Sequence, residues 1–115
     1  MLIIFGKKIS DKKKIRYALT DLYGIGLVQA SVICDNLNLP PNITIKDLTE
    51  HQISQISKYI KNNFKVENQL KKYVKNNINI YINNKSLRGF RHRNKLPVRG
   101  QRTHSNARTC KRVFL

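Results

Sequence analysis

Acidic side chains are scarce: six Asp and Glu stand against 23 Lys and Arg in 115 residues, for a formal charge of +17. Such an excess repels itself in a compact state and calls for a polyanionic partner, nucleic acid by default. The few acids are scattered, so no carboxylate pair is available to hold the metal of a nuclease. His51, His92 and His104 have no carboxylate at ligand or dyad spacing, which leaves catalysis without a candidate base and the chain without an expected metal or cofactor. Only two cysteines occur, Cys34 and Cys110, and no Cys-x-x-Cys pair. That excludes a disulfide framework and a zinc site of ordinary spacing, and suits a reducing compartment. No apolar run approaches the roughly 20 residues that span a bilayer. The start, Met1 to Gly6, is too short for a signal h-region, so the protein is expected to work where it is made.

The positive charge is unevenly spread. Residues 1–84 carry 13 basic and six acidic side chains, whereas residues 85–115 carry ten basic side chains and no acid. The last quarter cannot neutralise itself and is expected to order only against an anion. This divides the chain into a body, 1–84, and a basic arm, 85–115.

Apolar periodicity predicts an all-α body. After an extended start, Ser10 or Asp11 caps a helix through about Tyr23, with Ile15, Ala18, Leu19, Leu22 and Tyr23 on one face. Gly24-Ile25-Gly26 interrupts it, and a second helix follows with Leu27, Ala30, Ser31, Cys34 and Leu37 on one side. Pro40-Pro41 breaks the chain, since proline neither donates nor continues a helix. Thr44 to Asp47 reads as a short capped turn. Thr49 with Gln52 three residues on is a capping-box pattern, opening a helix with the stripe Ile53, Ile56, Ile60 and Phe64. Glu67 opens another, along Leu70, Val74, Ile78 and Ile82. Residues 77–83 also alternate like a strand, but the 70/74/78/82 row favours a helix. In the arm periodicity vanishes, and short helices are predicted near 86–93 and 104–110 around an extended segment through Pro97.

Two places suit RNA. Gly24 and Gly26 allow a tight turn and a close phosphate approach, and the next helix start offers free N–H groups; an ordinary helix-capping turn fits the same three residues. The arm is the stronger site. Arg88, Arg91, Arg93, Arg99, Arg102 and Arg108 dominate it, with Lys85, Lys95, Lys111 and Arg112. Arginine's planar fork matches phosphate oxygens and stacks on bases. The run also contains Phe90 and His92, the latter placed to stack on RNA or hydrogen-bond to it. A functionless solvated charge run fits poorly with so much arginine and no acidic spacer. A membrane surface is excluded as partner because the arm lacks a broad apolar face.

These arm residues carry a family resemblance. Arg88-Gly89-Phe90-Arg91-His92-Arg93-Asn94-Lys95-Leu96-Pro97-Val98-Arg99-Gly100-Gln101-Arg102-Thr103, then Asn106-Ala107-Arg108-Thr109, resembles the universal small-subunit ribosomal protein thirteen family. Ala18 to Gly26 is similar to that family's first helix and hairpin, so the likeness spans nearly the whole chain. It implies a helix-two-turn-helix body with an extended basic C-terminal arm containing short helices, in the head of the small ribosomal subunit. It implies contacts with small-subunit rRNA, small-subunit ribosomal protein nineteen, large-subunit ribosomal protein five across the subunit interface, and P-site tRNA. Carried over by position, Gly89, His92, Gly100, Gln101, Thr103, Asn106 and Thr109 join the arginines and lysines above as RNA contacts. A structural, non-enzymatic role in translation follows. The alternative is a free-standing module like the helix-two-turn-helix domain of DNA-repair glycosylases, which lacks support because no N-terminal catalytic residue or zinc finger is present.

One departure and one bias complete the reading. Related bacterial chains continue into a Lys/Arg/Pro-rich stretch where this one reads Arg112-Val113-Phe114-Leu115, so this terminus is expected to pack on a neighbouring protein instead of tRNA. Ile, Asn and Lys supply 42 of the 115 residues, a bias of AT-rich coding. With His104 after Arg102-Thr103 resembling mitochondrial members, a mitochondrial ribosome is the expected location, ahead of a plastid or the cytoplasm of an AT-rich bacterium.

Overall fold

The computed structural model describes residues 2–112; the expectation for residues 113–115 lies outside them. Cα packing divides the chain into two compact units, Met1–Leu70 and Lys71–Leu115. The first unit begins with strands β1 (Leu2–Ile4) and β2 (Lys7–Ile9), paired antiparallel with Leu2 opposite Ile9 and Ile4 opposite Lys7. Strand alternation sends Ile4 and Ile9 inward and leaves Ile3 and Lys8 outside. The extended start is therefore half of a hairpin, turned at Phe5-Gly6 with both residues at positive φ.

Helix α1 is shorter than its periodicity predicts, Ile15–Leu19. Neither Ser10 nor Asp11 caps it, because residues 11–15 pair their backbone with residues 43–46. The Ile15 N–H donates to the Ile43 carbonyl at 2.9 Å, the Ile45 N–H to Lys13 at 3.1 Å and the Lys46 N–H to Asp11 at 3.3 Å. Beyond Leu19 the chain continues in single turns, Asp21 N–H to Ala18 O and Leu22 N–H to Leu19 O, so Tyr23 leaves the apolar face and is 50% exposed. Helix α2 (Leu27–Asn36) buries Ala30, Ile33 and Cys34, while Leu27, predicted inside, is half exposed. It ends in a Schellman motif: Asn38 takes φ 53°, its N–H reaches Asp35 O, and the Leu39 N–H reaches Cys34 O at 2.9 Å. Leu39 is buried beneath that cap and Pro40-Pro41 follow.

A 3-10 turn (Ile45–Asp47) holds Ile45 in the core, with the Thr44 hydroxyl donating to the Asp47 carboxylate. Helix α3 (Glu50–Asn63) starts at the predicted capping box: the Gln52 N–H donates to Thr49 Oγ1, and the Thr49 N–H to Gln52 Oε1. Its Ile56 and Ile60 are buried. Together with Ile15, Ala18, Leu19, Leu22, Ile25 and Val66 these side chains make one core, all of it within Met1–Leu70.

Helix α4 (Glu67–Asn83) includes the stretch that alternates like a strand, and the helical reading holds. Two further helices follow, α5 (Leu87–Arg93) and α6 (Arg108–Arg112). The latter starts four residues later than predicted, because Ser105 and Ala107 sit at φ 59° and 66° and keep the preceding turn out of the helix.

The joint between α1 and α2 is built by contact with the start of α4. The Tyr23 N–H donates to Glu67 Oε1 and the Glu67 N–H to Tyr23 O, both at 2.9 Å. Gly24 has φ +110°, and a Cβ there would lie 2.8 Å from Leu70 Cδ2 and 2.9 Å from the Lys65 carbonyl oxygen. Only glycine satisfies both the backbone and the space. Gly26 differs: φ is −97°, and a Cβ would meet nothing within 4 Å. Gly24→Ala should therefore cost about 1–3 kcal/mol, seen as a lower midpoint in thermal unfolding of the full chain. Gly26→Ser, which supplies a good N-cap oxygen, should stay within about 0.5 kcal/mol of the parent.

Burial, reinforced by the neighbouring Asp35 carboxylate and opposed by Arg16, raises the pKa of the Cys34 thiol above its ordinary value. Folding thus favours the protonated thiol, a contribution present at neutral pH and lost as pH climbs through the ordinary thiol range to the raised one. Cys110 is only half-buried. Iodoacetamide at neutral pH should alkylate Cys110 first and reach Cys34 only on unfolding; equal rates on the folded chain would contradict this burial.

Candidate nucleic-acid interface

Charge follows the two compact units more sharply than it follows the body and arm read from composition. Residues 1–70 hold all six acids and ten basic side chains, while residues 71–115 hold thirteen basic side chains and no acid. Lys71, Lys72 and Lys75 on α4 thus belong with the arm's cations, although the apolar stripe drew them into the body. The signal available in the sequence was the absence of any acid after Glu67. Lys13 and Asp21 form an ion pair at 2.6 Å in the first unit. Residues 71–115 themselves contribute no side-chain carboxylate.

The two hairpin glycines do different work. Gly24 is held against residues 65–70 and is required by packing. Gly26 faces open space and opens α2, whose first-turn N–H groups at Leu27, Val28 and Gln29 have no carbonyl four residues back within the helix. Gln29 Oε1 accepts from the Gly26 N–H at 3.2 Å. A phosphate can approach that open end, and Ile25, 5% exposed, anchors the turn beneath it.

The arm starts where α4 stops. Lys85 adopts φ 54°, with its N–H on Ile82 O and the Ser86 N–H on Tyr81 O, a second Schellman motif. Helix α5 ends the same way: Lys95 adopts φ 57°, its N–H reaches His92 O, and the Leu96 N–H reaches Arg91 O at 2.9 Å. Lysine thus stands twice in the left-handed position that glycine usually takes, bringing a cation to the negative end of each helix. Nothing in the local sequence marks those two positions.

Ser86 caps α5, its Oγ accepting from the Gly89 N–H at 3.2 Å and donating to Tyr81 O at 2.9 Å. Gly89 is buried, and a Cβ there would fall 2.1 Å from the Tyr81 carbonyl oxygen. Its function is close backbone approach of α5 to the end of α4. The Arg88 guanidinium lies over the Tyr81 ring, 4.6 Å from its centroid. Arg91 Nε donates to the Pro97 carbonyl at 2.8 Å, which ties α5 to the segment after it, and Pro97 is buried. His92 is half-buried.

The remaining candidates are outside. Lys85, Arg93, Arg99, Gly100, Gln101, Arg102, Thr103 and Asn106 are exposed, as are Arg108, Thr109, Lys111 and Arg112 on α6; Lys95 is half-buried. Gln101 Oε1 accepts from the Arg99 N–H, and Gly100 between them sits at φ 71°. Asn106 Nδ2 donates to His104 O. The sequence-predicted set therefore divides. Gly24, Gly89 and Arg91 are engaged in building the structure, Arg88 stacks on Tyr81 while staying exposed, and with the other exposed cations it forms the surface a polyanion would meet. Among the described residues, no three His, Cys, Asp or Glu are grouped to hold a metal ion, and no helix is long and apolar enough to cross a membrane.

Known proteins match this sequence along nearly its whole length. The family model described as ribosomal protein S13/S18 matches residues 3–109. The chain is 41% identical to small ribosomal subunit protein uS13m of Marchantia polymorpha over 98% of its length and 94% of that protein. It is 45% identical to small ribosomal subunit protein uS13 of Thermosipho melanesiensis, covering 96% of this chain and 91% of that one. Against uS13m of Daucus carota the identity is 43%, with 97% of both chains covered. Organellar and bacterial relatives are thus equally similar. With a model match over nearly all its residues and relatives above 40% identity from end to end, this chain belongs to the ribosomal protein S13/S18 family.

Proposed function

We propose that this chain is a structural, non-enzymatic constituent of the small ribosomal subunit, held there by its contacts with rRNA. The observation that carries the reading is the separation of core from charge: among the described residues the hydrophobic core cluster lies in residues 1–70, and residues 71–115 carry thirteen cations with no acid. A surface of that kind is neutralised by phosphate, and release of counterions supplies the binding free energy.

Within this reading, residues 1–84 act as a body that presents the open α2 start at Gly26, and residues 85–115 act as the RNA-binding arm. Arg93, Arg99, Arg102, Arg108, Lys111 and Arg112 meet phosphates, with Lys85, Lys95, His92, Gln101, Thr103, Asn106 and Thr109 as further contacts. Gly100 lets the backbone come close. Arg88 and Arg91 act mainly by fixing α5 so that these side chains face the RNA in register. The neighbours inferred from the family are small-subunit protein nineteen, large-subunit protein five across the subunit interface, and P-site tRNA. The AT-rich bias of the sequence and the organellar relatives support a mitochondrial ribosome as the location.

The direct test is sedimentation: the full chain should travel with the small subunit at moderate salt, and a chain found only with DNA or free in solution would refute the assignment. On small-subunit rRNA, affinity should fall linearly on a log–log plot against salt. Arg99→Gln or Arg102→Gln should each reduce that slope by about one. Arg91→Gln should instead lower affinity with a smaller change of slope and raise hydrogen exchange around residues 94–98, because it releases the Pro97 carbonyl. Recovery of the chain from mitochondrial ribosomes of the source cells, against ribosomes of another compartment, decides the location.

A further inference from the structure

Helix α5 carries an apolar ring in the middle of its cations. Core packing does not account for it, since Phe90 is 58% exposed. Gly89 brings α5 against the end of α4, and between them lies a cavity of about 160 Å³ lined by Ile82, Lys85, Ser86, Gly89, Phe90 and Arg93. All six residues belong to one compact unit. Ile82 and Gly89 furnish an apolar floor, Phe90 a flat wall, and Lys85 and Arg93 two cations at the rim.

The chemistry of this pocket selects its occupant. It is smaller than the roughly 300–1,000 Å³ typical of sites for whole metabolites, and suits a single planar ring. Its one hydroxyl is already used internally, since Ser86 Oγ bonds both the Gly89 N–H and the Tyr81 carbonyl, which leaves Lys85 and Arg93 as its polar side chains. A ring that enters is therefore gripped by its face and not read by its edge. The two rim cations, in a unit without any side-chain carboxylate, call for a ring that carries an anion with it. A nucleotide has both parts, and every base has a π-face, so stacking needs no particular sequence.

We propose that Phe90 is a stacking platform for one unpaired base of the bound rRNA, with Arg93 and Lys85 on the phosphates that flank it. This rests on the ribosomal reading above and adds to it a contact that is not electrostatic.

The experiment compares full-length parent, Phe90→Leu, Phe90→Tyr and Arg93→Gln chains binding a small-subunit rRNA transcript at several salt concentrations. Leucine keeps the apolar bulk and loses the ring. Phe90→Leu should weaken binding about tenfold at every salt concentration and leave the slope of log affinity against log salt unchanged. Phe90→Tyr should bind like the parent, and Arg93→Gln should reduce the slope by about one. Ultraviolet irradiation of intact small subunits should also yield a nucleotide adduct on the peptide holding Phe90. Parent-like affinity for Phe90→Leu, or arm adducts at other residues with none at Phe90, overturns the stacking role while leaving rRNA binding intact. A Phe90 crosslink to protein alone also overturns it, because the pocket then serves a protein side chain. If the parent chain fails to bind the transcript and to sediment with the small subunit, the ribosomal reading itself fails and the stacking role falls with it.

Discussion

Like-charge repulsion is the constraint on which the rest of this protein depends. Thirteen cations within residues 71–115, with no acid among them, cannot be compensated from inside that unit. Nor does a hydrophobic core oppose them among the described residues, because the core cluster stops at Val66. What order the second unit has comes from short-range devices. These are two Schellman endings on lysine, the Ser86 cap, the close approach at Gly89, the Arg88–Tyr81 stack and the Arg91–Pro97 hydrogen bond. Each is modest alone, at about 1 kcal/mol for an ordinary hydrogen bond. A polyanion would remove the repulsion they work against.

The first unit solves the opposite problem. Its cations are diluted by acids, and its apolar side chains close on one another from a hairpin, three helices and a 3-10 turn. Its least ordinary feature is the turn at Gly24, where backbone conformation, packing on Leu70 and the reciprocal Tyr23–Glu67 hydrogen bonds coincide. That joint fixes where α2 begins, and so where its open N–H groups lie. Rigidity at Gly24 and openness at Gly26 are thus two halves of one device.

Much of this was legible from residue order. The capping box at Thr49, the helix from Glu67 and the break at Pro40-Pro41 follow from local rules, because caps and prolines act within a few residues. The arm's cations were legible for the same reason: exposure of an arginine among polar neighbours needs no tertiary partner. The hairpin at residues 2–9 and the short α1 were not. The hairpin's strands are three residues each, too short for an alternation to show, while the pairing of 11–15 with 43–46 joins residues distant in sequence and displaces the helix start expected at Ser10 or Asp11. Ile15, Ala18, Leu19 and Leu22 are buried as their spacing indicates, yet Tyr23 is not, since a turn precedes it.

Residue order by itself determined the large positive charge, the largely helical fold and the acid-free stretch after Glu67. Composition and local periodicity are properties of the unfolded chain as much as of the folded one. Only the tertiary structure decided which of those candidate residues also hold the fold together. Gly24 and Gly89 lie against backbone from elsewhere in the chain, the exposed Arg88 guanidinium lies over a ring, and Arg91 Nε is on a carbonyl several residues away. An arginine's sequence neighbourhood reports its charge. Which ring or carbonyl its guanidinium meets depends on atoms that folding alone brings within a few ångströms.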